Sequence, residues 1–257
     1  MPLLKMMKAV KSGGILIGSG LLLVGGLILC FPSSVQAQKL RAIELHGHYA
    51  SGLHLRSGEQ LQSIDGTGLG VDLQGKLSSW LTIALGTAYS DLTIEQNDPV
   101  EQWNWPFWNR FYRNYTRSLV TQDTNYAVVM TPNQHIYMIP VVLTVKGYYP
   151  LKKRFIPFLG IGAGIVFYER NLRLNERWSK YFPEIDYTFE YQYDNHAHVK
   201  KGQVFRIDLS LGSEYRFAEH FALSGGVIYQ YYLVPEREPD FPLKSLFKAR
   251  LGLVLYY

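Results

Sequence analysis

The chain has 257 residues, with 26 lysines and arginines against 21 aspartates and glutamates. Three of the lysines, Lys5, Lys8 and Lys11, precede an apolar run from Gly14 to Phe31 and a small-residue pattern at Val35-Gln36-Ala37, so residues 1–37 read as a signal peptide and 38–257 as a single exported domain. Without them the cations fall from 26 to 23 against an unchanged 21, too even a balance for nucleic-acid binding; the loss of Cys30, the one cysteine, excludes disulfides and thiolate metal sites.

Around Arg41–Leu53, Ile43, Leu45, Gly47 and Tyr49 alternate with Glu44, His46, His48 and Ala50, the period of two expected of a strand with one apolar face. The polar stretch Ser57–Gly68 reads as a loop. Leu69–Ser78 sets Leu69, Val71, Leu73 and Leu77 against Asp72, Gln74 and Lys76. After a tight turn, Leu81–Leu92 sets Leu81, Ile83, Leu85 and Tyr89 against Thr82, Ala84, Gly86 and Ala88. A polar and aromatic loop, roughly 95–133, leads to Tyr137–Tyr168, which reads as two membrane-spanning strands joined by a basic turn at Leu151–Arg154. In the second of these, Gly160, Gly162 and Gly164 occupy alternate positions. Glycine is poor strand material, but on the inward face of a narrow barrel it leaves room for long side chains from other strands.

A second long loop, roughly 169–202, precedes a strand at Val204–Tyr215. A tight turn at Ala218–His220, a strand at Phe221–Leu233, the loop Val234–Pro242 and a last strand at Phe247–Tyr257 complete the chain. Eight strands with long and short connections in alternation predict an all-β fold, a transmembrane antiparallel up-and-down β-barrel with long extracellular loops. Two aromatic girdles favour this over a soluble barrel. Trp80, Tyr148, Tyr149, Phe155, Phe217 and Tyr257 lie near the short turns; Tyr49, Tyr89, Tyr137, Phe167, Phe205 and Tyr229 lie near the long loops.

The Ile139-Pro140 start of a strand, the Lys146-Gly147-Tyr148-Tyr149 exit, Pro157 with its three glycines, and the closing Leu251, Leu253, Leu255 and Tyr257 resemble the small OmpA-like and OmpW-like outer-membrane barrels. The resemblance implies an outer-membrane location among lipid and lipopolysaccharide. It also implies that the closing residues form the signal read by the barrel-assembly machinery. The chain departs from the OmpW-like pattern, whose lumen is hydrophobic, because its inward face carries charge.

That face gathers Glu44, Asp72, Asp208 and Glu214 with Lys76, Lys146, Arg206, Lys248 and Arg250. Unpaired charges in so narrow an interior are costly, so cross-strand pairing into a plug is expected; a narrow pore for small solutes is the alternative. His46 with His48, and His196 with His198, have a spacing that can ligate zinc or copper, but no third ligand is identifiable and no metal or other cofactor is expected. Ser51 and Ser90 show no marked histidine partner, and no enzyme motif is present. The long loops carry Trp103, Trp105 and Trp108 among arginines, and Tyr187, Phe189 and Tyr191 before a turn expected at Asp194-Asn195. The second set reads as a β-ribbon above the membrane, and both as a recognition surface for lipopolysaccharide, glycan or a host protein.

Overall fold

The computed structural model describes residues 40–56, 60–149 and 154–257. The signal-peptide segment and most of the turn expected at Leu151–Arg154 lie outside them. The strands are β1 (Leu40–Leu55), β2 (Leu61–Lys76), β3 (Leu81–Gln96), β4 (Tyr126–Tyr148), β5 (Phe155–Phe182), β6 (Tyr187–His196), β7 (Lys200–Arg216), β8 (Phe221–Leu233) and β9 (Leu243–Tyr256). Each pairs antiparallel with its neighbours in the order β4-β3-β2-β1-β9-β8-β7-β5, and a further β4–β5 pairing closes the ring. Eight strands form this barrel. The seam joins β1 to β9 from Ala42↔Tyr256 to Leu55↔Leu243.

The barrel is inside-out. Leu69, Leu159, Ile161, Leu211 and Leu251 stand outward and exposed, whereas Glu44, Lys146 and Glu214 are buried. A soluble monomer rarely exposes apolar patches beyond about 300–600 Å²; a belt of leucines around a charged interior is the surface a bilayer selects. Along β5 the outward face reads Leu159, Ile161, Ala163, Ile165 and Phe167, then turns polar at Glu169, Asn171 and Arg173. The same change falls at His135 on β4, Asp91 on β3 and Lys201 on β7. These positions mark the outer edge of the membrane zone.

Several strands run well past that edge. A tilted strand needs about 9–11 residues to cross a bilayer, yet β4 has 23 and β5 has 28. Their upper halves stay paired from Tyr126↔Lys180 onward, and β6 adds to the upper half of β5 alone. The expected loops are therefore partly sheet: Leu61–Gly68 belongs to β2 rather than a loop, residues 126–133 to β4, and residues 169–182 to β5. The β-ribbon exists, but its turn is at Pro183–Asp186, where Asp186 takes a left-handed φ of 49°, a conformation aspartate tolerates. Asp194 and Asn195 lie inside β6, opposite Asn175 and Leu174. Helical turns at Pro99–Gln102 and Trp108–Tyr112 and a helix at Arg113–Gln122 replace the irregular loop. No helix among the described residues is long and apolar enough to cross a membrane.

Candidate functional site

The lumen is built in layers, beginning at the short-turn end. Tyr148 belongs inside, not to the girdle. It is buried, and its hydroxyl donates to Glu214 at 2.8 Å while Arg41 lies 4.3 Å over its ring. Tyr256 also donates to Glu214. Above them Glu44 accepts from Ser224 at 2.7 Å and Gln74 at 3.0 Å, and pairs with Lys146 at 3.1 Å and Arg250 at 3.3 Å. Asp72 takes Arg250 at 2.9 Å and Lys146 at 3.5 Å. Arg206 pairs with Asp208 at 2.9 Å. Lys76 is a correction: it shares the inward parity but stands exposed at the end of β2, where the aqueous mouth solvates it, outside this network.

Glycines make the layers possible. A Cβ on Gly70 would lie 2.5 Å from His46 Nε2, one on Gly68 2.5 Å from His48 Nε2, and one on Gly86 would collide with the Asp72 carboxylate. Gly68 is paired with His48 on one side and Ser90 on the other, so the imidazole of β1 passes over the bare backbone of β2 to reach β3. His48 Nε2 and Ser90 Oγ are 2.9 Å apart. The expectation that Ser90 has no histidine partner is therefore wrong, because contacts across an intervening strand are invisible to spacing along one. The pair faces the lumen, with Lys248 Nζ 3.3 Å from the same hydroxyl.

Glu44, His46 and Asp72 also come within 4.8 Å of one another, the dimensions of a metal site. Both carboxylates already hold Lys146 and Arg250, so a divalent ion would meet two fixed cations. His48 is not part of the cluster. His196 ends β6, and His198 lies edge-on to Trp103 at 6.4 Å.

An apolar layer caps the charged ones. Leu92, Ile136, Met138, Val166, Val204 and Leu246 pack there. The Val234–Pro242 loop drops Phe241 into the mouth, 5.0 Å from the Tyr168 ring and 4.9 Å from Tyr232. Arg56 secures that loop through the Glu238 carbonyl at 2.9 Å.

Outside the membrane zone β4, β5 and β6 support a platform. Trp103, Trp105 and Trp108, expected on a recognition surface, are instead its core with Leu172 and Leu174; Trp103 is 1 % exposed. Their apolar area is worth more buried than wet, and their N–H groups find acceptors: Trp103 donates to the His198 carbonyl at 3.0 Å and Trp108 to Glu101 at 3.3 Å. Tyr191 is half-buried, stacked on Trp178 at 6.2 Å. Burial and a 2.8 Å hydrogen bond to Glu176 push the Tyr112 hydroxyl above a tyrosine's ordinary value. Exposed aromatics remain at Tyr187 and Phe189, and at Phe107, Phe111 and Tyr115, four residues apart on one side of the helical segment.

No family model and no curated protein matches the chain. Among solved structures it is similar to Neisserial surface protein A, with 10 % identity over 84 % of this chain and 96 % of that one, TM-score 0.43. It is also similar to the outer membrane protein OprG of Pseudomonas aeruginosa, with 12 % identity, 85 % and 97 % covered, TM-score 0.42. A third is a major outer membrane protein from Thermus thermophilus, with 10 % identity, 84 % and 99 % covered, TM-score 0.42. The fold itself, a closed antiparallel ring of eight strands with an apolar outer belt and a charged interior, is that of a small outer-membrane β-barrel.

Proposed function

We propose that this chain is a non-enzymatic outer-membrane protein whose lumen is plugged and whose barrel anchors an extracellular recognition platform. The observation that carries this is the stacking of a paired charge layer beneath an apolar stopper. An ion crossing that stopper would be stripped of water with nothing to replace it. The Ser90–His48 pair supports no hydrolase, since it lies below the stopper beside a cavity of about 50 Å³, far smaller than the roughly 300–1,000 Å³ of a substrate pocket.

The platform's ligand is read from its exposed side chains. Phe107, Phe111 and Tyr115 offer flat faces beside the exposed Arg110 and Arg117. Rings stack on sugars and guanidinium groups grip phosphate, a chemistry that suits lipopolysaccharide or a host glycan. Leu251, Leu253, Leu255 and Tyr257, on the lipid-facing side of β9, are proposed as the segment the barrel-assembly machinery recognises. Removal of residues 1–37 during export belongs to the same proposal.

Planar-bilayer recording of the refolded protein tests the plug, and the expected outcome is no stable open level. A steady conductance would favour the alternative, a narrow solute pore. Changing Phe107, Phe111 and Tyr115 together to serine is expected to cut retention on lipopolysaccharide-coated beads at least tenfold with outer-membrane abundance unchanged. Undiminished retention would refute the platform's role.

A further inference from the structure

Midway up the lumen a chamber of about 50 Å³ has His48, Arg206, Ser210 and Lys248 in its wall, together with the carboxylates of Asp72 and Asp208. The charges around it do not balance. Lys146 and Arg250 share Glu44 and Asp72, two against two, and Arg206 is matched by Asp208. Lys248 is left over. Its buried Nζ has Ser90 Oγ at 3.3 Å and His48 Nε2 at 3.4 Å, and no carboxylate within ion-pair reach among the described residues. A proton on either histidine would only add positive charge.

Unpartnered donors point the same way. Arg206 Nε and Ser210 Oγ, on side chains more than nine-tenths buried, have no hydrogen-bond partner. Ser210 and Lys248 occupy one row of the wall, both opposite Ile228 in the pairing of β7, β8 and β9. A buried ammonium lacking a counter-charge either sheds its proton or takes an anion. Shedding it would give a neutral amine whose one lone pair meets at most one of the other two donors, whereas an anion satisfies all three.

We infer that this chamber binds one small monovalent anion of halide size, held by Lys248, Arg206 and Ser210. One water needs roughly 10–15 Å³ of such volume, so the chamber takes a halide with one or two waters and excludes a nucleotide or sugar phosphate. One water donates to Asp208 Oδ1, the buried acceptor that also lacks a partner. This rests on the proposed closed lumen, since an open channel would not retain an ion.

The test is to refold and crystallise the full barrel with bromide as the only halide. One anomalous peak within about 3.5 Å of Lys248 Nζ is expected, absent from Lys248→Met. In parallel, chloride is expected to raise the unfolding temperature of the wild type over gluconate at equal ionic strength, by several degrees. The shift should vanish in Lys248→Met and shrink in Ser210→Ala, which serves where the first variant does not fold. Peaks confined to the surface, an adventitious ion only, would overturn the inference, as would an equal halide shift in a folded variant. Bilayer recording separates the two failures: a silent barrel without bromide sinks the anion alone, whereas a conducting one sinks the closed lumen as well.

Discussion

At the scale of single residues the lumen is governed by who neutralises whom. Glu44 holds Lys146, Arg250, Ser224 and Gln74 at once, so Glu44→Gln strands positive charge and is expected to cost about 3–5 kcal/mol in urea unfolding from vesicles. Arg250→Met should cost a similar amount by leaving Glu44 and Asp72 to share Lys146 alone. The double change is expected to cost clearly less than the two added together; additive losses would mean the lumen is wet enough to screen each charge alone. Gly68→Ala tests the spaces between charges. Its methyl group would collide with the Tyr89 carbonyl oxygen of β3 as well as with the His48 ring, and a loss of at least about 1–3 kcal/mol is expected; a neutral result would show that both the β3 backbone and the imidazole can give way. Inward charges were legible in the sequence because parity along a strand fixes them. Their partners were not, since Lys146 reaches Glu44 across the bore and His48 reaches Ser90 over Gly68. A glycine opposite a long polar residue was the available signal.

At the scale of elements, the membrane-facing cores of all eight strands were legible, and their outer ends were not. Alternation of apolar and polar residues ends where lipid ends, while backbone pairing continues into water along Leu61–Gly68, residues 126–133 and residues 169–182. A strand solvated on its outward face reads as a loop. The aromatic loops misled for a related reason, because Trp103, Trp105 and Trp108 have a second hydrophobic core to enter, made by Leu172 and Leu174 above the membrane. The last strand offers a clean test of register. Tyr257 is 69 % exposed on the lipid side and Tyr256 8 % exposed beneath Arg41 and Arg216. Tyr257→Lys is expected to lower outer-membrane abundance several-fold. Tyr256→Phe should leave abundance unchanged and remove about 1.5–3 kcal/mol, the worth of its hydrogen bond to a charged Glu214. The opposite ranking, read by membrane fractionation and urea titration, would place the final strand one residue out of step.

At the scale of the whole molecule, closure and platform are separable. The ring needs β1 with β9 and β4 with β5, and the β4–β5 ladder continues from the membrane zone through Tyr137↔Glu169 into the platform. β6 pairs only above that point, from Arg173↔His196 to Phe182↔Tyr187, so it hangs on the ring without helping to close it. A closed barrel has no free edge from which detergent can unravel it. The folded protein is therefore expected to migrate faster on a denaturing gel unheated than boiled. Replacing residues 175–194 by a short glycine-serine turn should preserve that shift, because every pairing of the eight ring strands survives below Leu174. Breaking the seam should abolish it: proline at Leu45, opposite Leu253 and Val71, removes a ladder hydrogen bond in the middle of a paired strand. If the truncated protein lost its shift and the proline variant kept it, the platform hairpin would be holding the barrel closed, and the division between a membrane anchor and an outer platform would have to be abandoned.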